Sequence, residues 1–77
     1  MPDSDRTRAV YDFIQTYIDE NQGYAPSIRK IASGAYLGHS TVMRHLDRLE
    51  AWGLIQRLPN RPRSIRLTDK AWPEDQG

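Results

Sequence analysis

Apolar residues in the first quarter of the chain recur at the spacing of one helix face. Val10, Phe13, Ile14, Tyr17 and Ile18 stand at i, i+3, i+4, i+7 and i+8. Ser4 is placed to cap this helix, and Asn21-Gln22-Gly23 to end it, with Gly23 suited to a left-handed turn. Pro26 then forces Ala25 out of helical geometry, and Ser27 is a good N-cap for a second, short helix from Ile28 to about Ala35, burying Ile28, Ile31 and Ala32. Residues 34–38 read as a tight turn. A third helix is expected from about Ser40, its cap, to Trp52, with Val42, Leu46 and Leu49 inward and Gly53 as its stop.

Beyond Gly53 the period changes from 3.6 to 2. Leu54 to Leu58 predicts a strand, Pro59-Asn60-Arg61-Pro62 a turn, and Ser64 to Leu67 the returning strand. Such a hairpin is not stable alone and must pack on the helices. The expected class is mainly α with a small β-hairpin: a three-helix winged helix-turn-helix. The domain is predicted over residues 5–69, between a disordered start (1–4) and a flexible tail (70–77).

The 77 residues leave room for one small domain, and the absence of cysteine excludes disulfides and thiolate metal sites. The N-terminus does not read as a signal peptide, and no apolar run approaches the ~20 residues that span a bilayer. A cytoplasmic protein without membrane contact is expected. The net charge of +1 conceals a segregation. Residues 1–26 hold two arginines against five acids, a charge of −3, whereas residues 27–70 hold nine Arg and Lys against three acids, a charge of +6. That asymmetry fits a polyanionic partner, and equally a solvated charged surface.

The helical wheel adds direction. With Val42, Leu46 and Leu49 inward, the outward arc of the third helix holds Ser40, Thr41, Arg44, Asp47, Arg48 and Ala51, with Met43 and His45 at its edges. Double-stranded DNA is the expected partner. Ser40, Thr41, Met43 and Arg44 are the candidates for base edges, because base reading belongs to the N-terminal half of a recognition helix. Arg44 stands out, since a guanidinium pairs two ways with guanine O6 and N7. The other reading of Arg44 is a surface pair with Asp47. Arg48 is placed for phosphate, and Ser27 and His39 sit where helix N-termini could meet the backbone. Arg57, Asn60, Arg61 and Arg63 are the candidates in the wing, where no acid interrupts Leu54 to Thr68. Arg61 could instead enter the minor groove.

Several residues carry plainer readings. His45 borders the core as a packed histidine, and the two histidines lack metal spacing, so neither metal nor cofactor is expected. No nucleophile–base pair or poised carboxylate pair appears, so neither enzymatic activity nor a small-molecule substrate is expected. A protein-interaction winged helix without DNA binding remains the alternative, using the face near Tyr11, or Trp52 and Trp72. On DNA, two copies are expected to pair as a homodimer over two half-sites.

The segment Gly23-Tyr24-Ala25-Pro26-Ser27-Ile28-Arg29-Lys30-Ile31-Ala32 resembles the entry to the second helix of LexA-type (SOS repressor) N-terminal DNA-binding domains. Ser40-Thr41-Val42, His45-Leu46 and Leu49-Glu50 resemble their recognition helix, and residues 59–68 resemble their wing. The resemblance covers roughly residues 5–68. It implies operator binding by a transcriptional repressor, with residues 40–44 on the bases. Tyr36 stands where the generic motif has its turn glycine, and Gly38 offers a second place for that turn. The family's self-cleaving Ser-Lys dyad is not expected, since the only lysines are Lys30 and Lys70.

Overall fold

The computed structural model describes residues 2–59, 61 and 63–73. In chain order the elements are α1 (Pro2–Glu20), α2 (Ile28–Ala35), α3 (His39–Ala51), β1 (Ile55–Gln56) and β2 (Arg66–Leu67). The strands pair antiparallel, Ile55 with Leu67 and Gln56 with Arg66. This is the expected mainly helical class with a small hairpin.

The core forms where the three helices and the hairpin base meet. α1 gives Val10, Tyr11 and Ile14, α2 gives Ile31, α3 gives Val42, Leu46 and Leu49, and the hairpin gives Leu54, Ile55 and Ile65. Phe13 and Ile18 pack at its margin. The buried stripe of α1 therefore runs through Tyr11 rather than Tyr17, and it continues back to Thr7, a polar residue that is fully buried. α1 begins at Pro2, so Ser4 lies inside the helix rather than at its cap, and the start expected at residue 5 is too late. Its C-terminus is closed by the Asn21 side-chain amide donating to the Tyr17 carbonyl at 2.8 Å and by Gly23 at φ +89°.

α2 begins as predicted. Ser27 Oγ accepts from the Lys30 backbone N–H at 3.1 Å, satisfying one of the unpaired donors of the first turn. Gly34 is held against the Phe13 ring, and an added Cβ would run into that ring. The turn after α2 falls at Tyr36, with φ 56° and ψ 44°, not at Gly38, whose φ is −74°. A left-handed tyrosine costs about 1–2 kcal/mol. The turn also ends α2, because Tyr36 and Leu37 both donate to the Ala32 carbonyl. Released there, the chain enters α3 two residues earlier than the serine suggests. Gly38 is the N-cap and makes no side-chain cap bond, so Ser40 is not the cap but lies within the first turn.

The hairpin is shorter than predicted, two residues a strand, and side chains extend it. Leu58 N–H donates to Ser64 Oγ at 3.0 Å, and Ser64 donates back to the Leu58 carbonyl at 3.2 Å. At the base, Thr68 Oγ1 donates to the Gly53 carbonyl at 2.6 Å. Residues 70–73 pack against the body instead of forming a loose tail. Lys70 Nζ donates to the Trp52 carbonyl at 2.8 Å, placing a cation at the C-terminus of α3. Trp72 stands 5.5 Å from the Tyr11 ring and 5.8 Å from the Trp52 ring, and its own ring lies beneath the Arg8 guanidinium. No helix among the described residues is long and apolar enough to cross a membrane.

Candidate nucleic-acid interface

α3 presents three different faces. Val42, His45, Leu46 and Leu49 point into the core, and His45 is only 4% exposed, a packed histidine as read from the sequence. The N-terminal half shows His39, Ser40 and Arg44 to solvent, with Thr41 and Met43 half-buried at the flanks. Among the described residues Arg44 makes no ion pair: the Asp47 considered as its partner is engaged elsewhere.

That engagement comes from the wing. Arg57 Nη2 donates to Asp47 Oδ1 at 2.5 Å and to Glu50 Oε1 at 2.7 Å, and its Nε reaches Glu50 Oε1 at 3.1 Å. Burial is the largest single influence on the guanidinium and opposes its charge. The hydrogen bonds and charges of Asp47 and Glu50 together outweigh it and hold Arg57 above its usual pKa. The sequence-based reading set Arg57 among the outward cations, whereas its charge is turned to two acids of α3. Across one strand–helix junction, a wheel drawn for α3 alone carries no signal of this pairing.

The same contact leaves an open groove of about 590 Å³ between α3, the start of α2 and the wing. Ser27, Met43, Arg57, Arg61 and Arg63 line it together, so five of the predicted residues share one concavity. Arg61 and Arg63 are exposed on its outer wall, and Arg63 takes a left-handed turn at φ 57°. Asn60 lies outside the described residues.

Arg48 is set apart from Arg44. It is half-buried, and its Nη1 donates to Thr7 Oγ1 at 3.2 Å. Thr7 Oγ1 is also 2.8 Å from His45 Nδ1, so α1 and α3 are joined by a buried polar cluster. No pattern of apolar positions reveals Thr7. The available signal is its place at i−3, i−4 and i−7 from Val10, Tyr11 and Ile14, a polar residue on an inward stripe.

The aromatic residues considered for a protein partner are occupied within the chain. Tyr11 is buried, and Trp72 packs against both it and Trp52. The groove between helix and wing combines the exposed positive charge of Arg61 and Arg63 with a concave shape.

The chain matches the family described as the LexA DNA binding domain over residues 2–64. It is 41% identical over 73 residues to the LexA repressor of Carboxydothermus hydrogenoformans, covering 94% of this chain and 35% of that protein. Against the LexA repressor of Listeria welshimeri the identity is 44% over 68 residues, covering 87% and 33%. Against that of Clostridium tetani it is 40% over 70 residues, covering 90% and 34%. The chain spans about a third of the length of these curated relatives.

Proposed function

Because the chain belongs to the LexA DNA-binding-domain family, we propose that it is the sequence-specific, double-stranded-DNA-binding unit of a transcriptional repressor. The observation that carries this reading is the groove in which wing arginines face the start of α2 and the flank of α3, beside an exposed Arg44 that makes no ion pair among the described residues. An α-helix fits the major groove, and its first two turns reach deepest. Ser40, Thr41 and Arg44 then read base edges, with Met43 offering an apolar contact to a thymine methyl.

Arg61 and Arg63 neutralise phosphates, which adds affinity without sequence preference. Ser27 and His39, each at the start of a helix, meet the backbone where N–H groups favour an anion. Asn60 belongs to the same wing segment by its place in the sequence. Arg57 serves differently: it screens Asp47 and Glu50, which would otherwise repel phosphates, and it ties the wing to α3. Two copies over two half-sites would supply the affinity that one small surface lacks, and the site of action would be the chromosome in the cytoplasm.

A salt titration of binding to mixed-sequence duplex tests the assignment. Replacing Arg61 or Arg63 with alanine is expected to flatten the log–log salt slope by about 0.9 each. A slope indifferent to both substitutions removes the wing from the interface.

A further inference from the structure

We propose that the groove between α3 and the wing is a deoxyribose-recognition site: its apolar floor packs against the sugars of one DNA strand and rejects a 2′-hydroxyl there, with Leu58 as the deciding side chain. The inference rests on the DNA-binding reading above and extends it from bases and phosphates to the sugar.

The major and minor grooves of a duplex are separated by a single sugar–phosphate strand. With α3 in the major groove and the wing beyond its edge, that strand crosses the space between them. That space is the groove of about 590 Å³, and its surfaces differ in chemistry. Arg61 and Arg63 form a cationic outer wall, which suits phosphates, while Arg57 pairs with the acids Asp47 and Glu50. Ile28, Met43 and Leu58 form an apolar floor. Ile28 and Met43 are half-buried and pack on the core, whereas Leu58 is 57% exposed and stands outside it. The backbone of Leu58 is nonetheless held on both sides: its N–H donates to Ser64 Oγ, and its carbonyl accepts from the same hydroxyl. An apolar side chain held beside two arginines fits a partner that alternates charge with apolar surface, and a sugar–phosphate strand does so at every nucleotide. In deoxyribose the 2′ carbon is a methylene, which this floor covers readily. In ribose it carries a hydroxyl, which Ile28 and Leu58 would take from water without offering a hydrogen-bond partner.

The test is a ribose scan with the wild-type chain. In a duplex selected from a random-sequence library, each nucleotide is replaced in turn by its ribonucleotide and the affinity is measured. One short run of positions per half-site is expected to lose about tenfold, and the remaining positions little. A 2′-fluoro nucleotide at the sensitive positions has the sugar pucker of ribose without the hydroxyl, and is expected to bind as deoxyribose does. Leu58→Ala opens the floor to water. It is expected to bind the all-deoxy duplex with at most a few-fold loss and to remove most of the ribose penalty at those positions. The Leu58 side chain is more than half exposed and its bonds to Ser64 are made by the backbone, so the variant keeps the fold. A flat scan, losses scattered through the site, an equal loss with fluorine, or a ribose penalty unchanged in Leu58→Ala each overturn the proposal. A flat scan on a duplex that the wild type binds leaves the DNA reading standing. If the wild type binds no duplex, the reading falls and this proposal falls with it.

Discussion

On the side facing α1, α3 is held by Thr7, His45 and Arg48; on the side facing the wing, it is held by Arg57 reaching Asp47 and Glu50. In the first cluster Thr7 and His45 are buried. The second joins one cation to two carboxylates at the surface, with the Asp47 side chain 70% exposed. The shorter distances belong to the exposed cluster, but distance does not rank the two. Water and salt screen the exposed charges, and holding long side chains in one geometry costs entropy. The buried cluster has no water to fall back on, so a missing partner leaves the full desolvation penalty. One flank fixes α3 in the fold, and the other fixes the wing relative to α3.

Three substitutions sharpen that contrast, in falling order of effect. Thr7→Val is expected to destabilise the domain by about 1–3 kcal/mol, because His45 loses a buried partner. Urea denaturation reads it, and the loss is expected to be the same at low and high salt. Ser27→Ala removes the cap of α2 beside the groove and is expected to cost about 1 kcal/mol, read the same way. Arg57→Gln is expected to cost at most about 1 kcal/mol, and less as salt rises. Its effect on duplex affinity should exceed its effect on stability, because it uncovers two acids and frees the wing together. A large, salt-independent loss for Arg57→Gln would erase the distinction between the flanks.

The sequence was most legible where the signal is local. The bounds of α2 follow from Ser27 and from the apolar spacing that ends before Tyr36, and both are properties of a few adjacent residues. The start of α3 was misplaced because a serine at position 40 looks like a cap. The cap is set instead by where the left-handed Tyr36 releases the chain, a consequence of α2 ending there. Residues that act between elements were the least legible. Thr7 meets His45 38 positions away, and Arg57 meets Glu50 across the helix–strand junction, contacts that only the packed fold creates. The same reason hid Trp72, whose partners lie on α1 and after α3. The segregated charge marked residues 27–70 as basic, but it could not tell a cation facing outward, such as Arg44, from one turned to its own acids, such as Arg57.

Backbone amide shift mapping with a library-selected duplex addresses the central claim most directly. The largest changes are expected from His39 to Arg48 and along the wing from Arg57 to Arg66, with little change across the Tyr11–Trp72 contact. Changes concentrated around Phe13 and Tyr36, with α3 and the wing undisturbed, would contradict the account.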